Sequence, residues 1–250
     1  MGQKVYTYYE EIQGNTRTDK DREVQQELLS LWKESWSNQG FEPVALNSDH
    51  AKSHPDYARY RQSIVDGHKQ AFDINLEEHP YWIVAHNEWI AFAKCVSERA
   101  VVCDYDVINT GFTLDDYNQL PAGFNWLDGL CSCIAVGTGE EYDKFCQLII
   151  DKEPYLVHQM KKWGAEWNRS EFGDQDYLVF LQKALITKKV CTIVPQGLVH
   201  LYEHVTGSHK DKKLVHFAHD SIYRAKAADT SLNNIPIEEV RLKFVKEIIE

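Results

Sequence analysis

The chain has 250 residues, 43% hydrophobic and 26% charged, with a formal net charge of -11. That length supports one sizeable core or at most two small domains, and the composition is globular rather than disordered. The carboxylate excess disfavours broad binding to nucleic acid or anionic membranes, because phosphate surfaces attract Lys and Arg; a small phosphate ligand carried by a metal ion stays open. No apolar run reaches the roughly 20 residues of a membrane span. The first residues lack the charged-then-apolar pattern of a signal peptide, so a cytoplasmic location is expected. The six cysteines fall mostly in apolar segments, as reduced core residues do. Cys131-Ser-Cys133 has no second Cys/His pair at zinc spacing nearby.

Residues 4–9, KVYTYY, read as a first strand. From Thr18 to about Asn38, the positions Val24, Leu28, Leu29, Leu31, Trp32 and Trp36 form a helical stripe that Gly40 ends. FEPVALN, from Phe41, is a second strand, and Asp49, His50 and His54 follow it. Residues 55–67 predict a helix, and residues 82–98 predict a long apolar one with Trp89, Phe92, Ala93 and Val96 in the core. That helix runs into AVVCDYDVI, residues 100–108, in which Ala100 to Cys103 supply a third, buried strand. Strand–helix–strand–helix–strand implies an α/β sheet with parallel strands.

Residues 129–137 predict another strand. Thr138-Gly-Glu-Glu141 then matches a capping box, and its helix runs to about Ile150. GDQDYLVFLQKALI, from Gly173, is a second capped helix. KKLVHFAHDSI, from Lys212, is a late strand-like segment. A final amphipathic helix starts near Pro236. Aromatics in the loops suit stacking on sugars or bases, and equally suit covering core edges.

Asp104 and Asp106 fall at the carboxyl end of the third strand, the edge where open α/β sheets bind ligands. In an extended backbone, residues two apart face the same side. Two neighbouring carboxylates repel unless a cation sits between them, and a hard divalent ion, Mg²⁺ or Mn²⁺, fits that role. Two further polar points follow: Asp174-Gln-Asp176 at a helix start, and His216-Phe217 at the end of the late strand.

Together and in this order, these motifs resemble the GT-A fold glycosyltransferases. The resemblance implies a single domain, with a mixed, mainly parallel Rossmann-like central sheet flanked by helices. Its nucleotide-sugar half would cover about residues 1–110, its acceptor half about 111–230, and its C-terminal helix about 236–250. It implies transfer of a sugar from a nucleotide-diphospho-sugar to a hydroxyl on a glycan or glycoconjugate. Asp104, Asp106 and His216 would hold Mn²⁺ or Mg²⁺, with His219 the alternative ligand in a shifted register. Asp104 would also touch the nucleotide, Thr7 and Tyr8 would lie beside its base, and Asp174 and Asp176 would serve the transferred sugar and the acceptor. Two departures stand out. The Lys-Pro-Trp of glycogenin-like enzymes is replaced by a stretch holding Arg224 and Lys226, and Glu88-Trp89 stands where related families carry an Arg.

Three other readings compete. A haloacid-dehalogenase-like phosphatase also places Asp-X-Asp after an apolar strand, but on the first strand of the chain. A zinc peptidase would use His200-Leu-Tyr-Glu-His204, which needs a helix that Pro195, Gly197 and Gly207 disfavour. A non-catalytic module would keep the nucleotide-sugar site for binding alone.

Overall fold

In the computed structural model, residues 2–11, 19–127, 133–169, 172–187, 191–194 and 198–249 are described. A six-stranded mixed sheet runs in the order β2-β1-β3-β6-β5-β7. Its strands are β1 (Gln3–Tyr8), β2 (Phe41–Leu46), β3 (Ala100–Cys103), β5 (Asn125–Trp126), β6 (Ile134–Gly137) and β7 (Thr192–Ile193). A three-stranded sheet orders β4 (Val107–Asn109), β9 (Leu214–His216) and β8 (Val199–Leu201) as β4-β9-β8.

The first three strands of the large sheet are parallel, as expected: Tyr6 lies opposite Val44 on one side and Val102 on the other. The sheet is mixed, as expected: β6 runs antiparallel to β3, with Val102 opposite Ala135. The cause is chain length. Only residues 127–133 separate β5 from β6, enough for a hairpin but not for the dozen or more residues of a parallel crossover.

Both faces of the large sheet are buried. On β3, Ala100 and Val102 face one apolar cluster while Val101 and Cys103 face the other. That is why AVVC is an unbroken apolar run rather than an alternating one. The first cluster is closed by α3 (Tyr57–Phe72), α4 (Pro80–Cys95), α6 (Gly139–Asp151), α7 (Glu153–Trp167) and α8 (Asp174–Thr187), through Tyr60, Trp89, Phe145, Met160 and Leu178. The second is closed by α1 (Asp19–Ser37), α5 (Leu114–Asn118), α9 (His219–Ala228), α10 (Ile237–Ile249) and the small sheet, through Trp32, Trp36, Tyr117, Ile222, Phe244 and Val215. At about 25 cal/mol per Å² of apolar surface removed from water, these two clusters are the main driving force of the fold.

Local signals explain the boundaries. Gly40, with φ 87, supplies the left-handed turn that releases α1 into β2. The Thr138–Glu141 capping box forms as predicted and starts α6. The predicted helix over residues 55–67 extends to Phe72 and ends on Asp73 at φ 58. Three features depart from the sequence reading. A short helix, α2 (Ser48–Lys52), is capped by Asn47, whose amide oxygen accepts from two backbone N–H groups. α7 follows α6 at once, with a proline in its first turn. The late segment from Lys212 splits, with β9 ending at His216 and α9 starting at His219. The predicted strand over residues 129–137 is seen from Ile134 on, and residues 128–132, including Cys131, lie outside the described residues.

Candidate metal centre

The third strand stops where the sequence predicts, and a separate strand follows within the same stretch. β3 ends at Cys103, and the Val107 N–H donates to the Asp104 carbonyl at 3.0 Å, closing a tight turn with Tyr105 and Asp106 at its centre. The chain then enters β4, in the other sheet. Asp104 and Asp106 therefore converge through a turn rather than through extended alternation. Backbone bonds brace the turn: the Asp104 N–H donates to the Cys133 carbonyl at 2.9 Å, and the Phe217 N–H donates to the Asp106 carbonyl at 3.0 Å.

β4 brings in the histidine. Val107 pairs with His216 across the antiparallel β4–β9 ladder, which sets the His216 ring beside Asp106. His216 Nε2 lies 3.3 Å from Asp106 Oδ1 and 3.8 Å from Asp104 Oδ2. One ligand atom from each of the three residues falls within 4.8 Å of the other two. His219, the alternative ligand, points elsewhere: its Nε2 is 3.3 Å from Glu238 Oε1 on α10.

Burial disfavours charge on Asp106, but the His216 ring and its hydrogen bond, then Arg241 and His219, outweigh it and hold the carboxyl at about 2. Asp106 Oδ1 is buried, with His216 Nε2 3.3 Å away. An ionised, buried oxygen beside an imidazole and a second carboxylate is a donor set that suits a hard divalent cation such as Mn²⁺ or Mg²⁺.

The sequence reading missed three residues here. Arg241, on α10, has a side chain only 1% exposed; its Nη2 is 3.7 Å from Asp106 Oδ2 and its Nη1 is 3.0 Å from Glu238 Oε2. Glu88 and Tyr81 lie on one face of α4, seven residues apart. The Glu88 carboxyl is raised well above the usual range, first by burial, then by the Asp174 and Asp104 charges, its hydrogen bond with Asp174, and Asp106. Tyr81 is 46% exposed as a residue. Its phenol is nevertheless pushed up to about 12, by local burial first and then by Asp174, Asp104 and Asp106. One signal was available for Glu88: it is the only carboxylate in the apolar sequence of α4.

The two aspartates of the α8 start part company. Asp174 meets Glu88. Asp176 takes Arg169 at 3.3 and 3.0 Å and accepts from the Gly173 N–H at 2.9 Å, so it anchors the helix start. Gly173 allows the approach of α8 to α4, since a Cβ there would stand 2.9 Å from the Trp82 ring. Thr7 and Tyr8 end β1 beside β3. Both are buried, and the Tyr8 hydroxyl donates to Glu10 Oε2 at 2.5 Å. Tyr9, just after them, packs edge-on against Tyr105 of the turn, with ring centroids 5.6 Å apart.

The other candidate motifs lie apart from this centre. His200 sits on β8 and His204 beyond it in a turn, so the pair does not share a helix face; His204 Nδ1 is bonded to the Tyr202 hydroxyl at 3.2 Å. Arg224 is exposed and 3.7 Å from Glu203, and the Lys226 ammonium donates to the Ile235 carbonyl. No helix among the described residues is long and apolar enough to cross a membrane.

A family model described as Domain of unknown function (DUF8765) matches residues 2–76. No curated protein matches the chain. Among solved structures, it is similar to the crystal structure of the glycosyltransferase GlyE in Streptococcus pneumoniae TIGR4, at 13% identity and a TM-score of 0.38, over 96% of this chain and 53% of that one. The chain thus spans about half the length of that structure. What the comparisons leave in place is an α/β chain with an acidic Asp-Xaa-Asp cluster, joined by a histidine, at the end of a buried central strand.

Proposed function

We propose that this chain is a metal-dependent glycosyltransferase of the GT-A type, moving a sugar from a nucleotide-diphospho-sugar to a hydroxyl acceptor. The observation that carries the reading is the meeting of Asp104, Asp106 and His216 at the seam between the two sheets, with Asp174 facing the same region. Such a set suits a divalent cation, and a cation held there suits an oxygen-rich anionic ligand. In this reading Asp104, Asp106 and His216 hold Mn²⁺ or Mg²⁺. Bound there, the ion would supply positive charge against the departing nucleoside diphosphate. Thr7, Tyr8 and Asp104 line the nucleotide side, at the ends of β1 and β3. Asp174 faces the transferred sugar and the attacking hydroxyl, hydrogen-bonding to the sugar or accepting the hydroxyl proton. Asp176, paired with Arg169, keeps Asp174 in place. The division into a nucleotide half over about 1–110 and an acceptor half beyond it belongs to the same proposal.

The test is thermal stability with Mn²⁺ and a panel of nucleoside diphosphates, followed by hydrolysis of the corresponding donor sugars. The expected result is stabilisation that needs metal and nucleotide together, then slow donor hydrolysis. Stabilisation without hydrolysis or transfer would instead indicate a binding module. No response to any nucleotide with Mn²⁺ present would overturn the reading.

A further inference from the structure

Arg241 is an expensive residue to bury. Its side chain is 1% exposed, and both Nε and Nη2 lack any hydrogen-bond partner. A guanidinium taken out of water without its full set of hydrogen bonds carries a large desolvation cost. Its neighbours explain what offsets that cost. Asp106 Oδ2 at 3.7 Å and Glu238 Oε2 at 3.0 Å flank it, and both carboxylates are themselves mostly buried, at 11% and 12% side-chain exposure. The separation from Asp106 is too long for a directed hydrogen bond, so the coupling is charge against charge. Within the same cluster stand Asp104 and His216, and His219 holds the other side of Glu238.

We propose that Arg241 is a built-in counter-cation of the metal centre, which keeps the buried Asp106 and Glu238 carboxylates compatible with a folded protein when no divalent ion is bound. The proposal rests on reading Asp104, Asp106 and His216 as the cation site. Arg241 acts through Asp106 and does not offer a ligand atom; it is a positioning residue. Two consequences follow from Coulomb's law at these separations. Without the guanidinium, the metal-free protein carries uncompensated buried charge and loses stability. The same loss removes a repulsive cation from the neighbourhood of the ion, so the divalent metal binds more tightly. A purely structural side chain would lower stability but would not tighten metal binding.

The experiment measures melting temperature with and without Mn²⁺, and Mn²⁺ affinity by electron paramagnetic resonance, for the full chain and three variants. Arg241→Gln is expected to melt lower than the wild type without metal. It should gain more from Mn²⁺ and bind Mn²⁺ about tenfold more tightly. Arg241→Lys keeps the charge and should behave like the wild type in both. The double variant Glu238→Gln/Arg241→Gln removes one charge of each sign and should recover part of the lost stability. If Arg241→Gln folds only when Mn²⁺ is present, the proposal is supported. A metal increment in Arg241→Gln equal to or smaller than that of the wild type overturns it. So does a folding failure that neither Mn²⁺ nor the double variant relieves. A wild type that binds no Mn²⁺ refutes the metal centre itself, which separates that failure from a failure of the Arg241 assignment.

Discussion

His216 Nε2 stands 3.3 Å from Asp106 Oδ1 because Val107, the residue after Asp106, is the ladder partner of His216. One register of one short antiparallel pair thus assembles the centre. A one-residue slip would turn the ring to the opposite face. Replacing Asp106 by Asn keeps the volume and removes the charged ligand. Loss of an outer partner of a metal ligand costs about 10–100-fold in affinity, so loss of this ligand should cost at least that. A paramagnetic resonance titration should show it, with circular dichroism unchanged. Wild-type Mn²⁺ affinity in folded Asp106→Asn would count against the centre.

The acid limb of stability follows from the same contact. Asp106 titrates at about 2 in the fold against an ordinary 3.8, so its contribution is present above 3.8 and is lost as pH falls through 2. That shift corresponds to about 2 kcal/mol. In the metal-free protein, denaturant midpoints should fall more steeply between those two pH values in the wild type than in Asp106→Asn. Parallel curves would mean that the His216 and Arg241 charges do not hold the carboxylate.

Glu88 has the opposite sign. Its folded value lies well above the ordinary 4.5, through burial and the Asp174 charge, so its contribution is present below 4.5 and is lost as pH rises through the folded value. Glu88→Gln keeps a hydrogen-bond donor for Asp174 and cannot ionise. It should therefore be the more stable protein at alkaline pH and should flatten the alkaline limb. An unchanged limb in urea titrations would show that Glu88 is charged and solvated.

Gly173→Ala tests how closely α8 approaches α4. The added Cβ would lie 2.9 Å from the Trp82 ring, so the ring or the helix start must shift. Overpacking of this kind costs about 1–3 kcal/mol. The expected outcome is a lower melting temperature together with a weakened Glu88–Asp174 coupling. The coupling is read as a smaller difference between the alkaline limbs of Gly173→Ala and Gly173→Ala/Glu88→Gln. A melting temperature equal to the wild type would mean that the Trp82 ring yields freely.

Much of the frame was legible in the sequence because it is written locally. Trp32 and Trp36 at helical spacing, the Thr138–Glu141 box and the apolar run of β3 each act within a few residues. Asp104, Asp106 and His216 could be picked out as polar residues at the ends of apolar runs. The direction of β6 could not, because it depends on how short the path from β5 is once β5 has been placed. Arg241 and Glu88 were hidden for a related reason. Arg241 lies within a helix whose pattern reads normally, and Glu88, though the one carboxylate of an apolar helix, shows its partner only when packing brings it to Asp174. Asp174 and Asp176 looked equivalent in sequence. Arg169 separates them.

The turn that carries Asp104 and Asp106 is backed by two indoles. Trp32 Nε1 donates to Cys103 Sγ at 3.3 Å just before it, and Trp36 Nε1 donates to the Val107 carbonyl at 3.2 Å just after it. The protein therefore carries its own optical gauge of the centre. An ion that tightens the turn must alter the polarity and hydrogen bonding felt by those two rings. A change in emission on adding diamagnetic Mg²⁺, abolished in Trp32→Phe/Trp36→Phe, would let ligands be screened without labels and before any substrate is known.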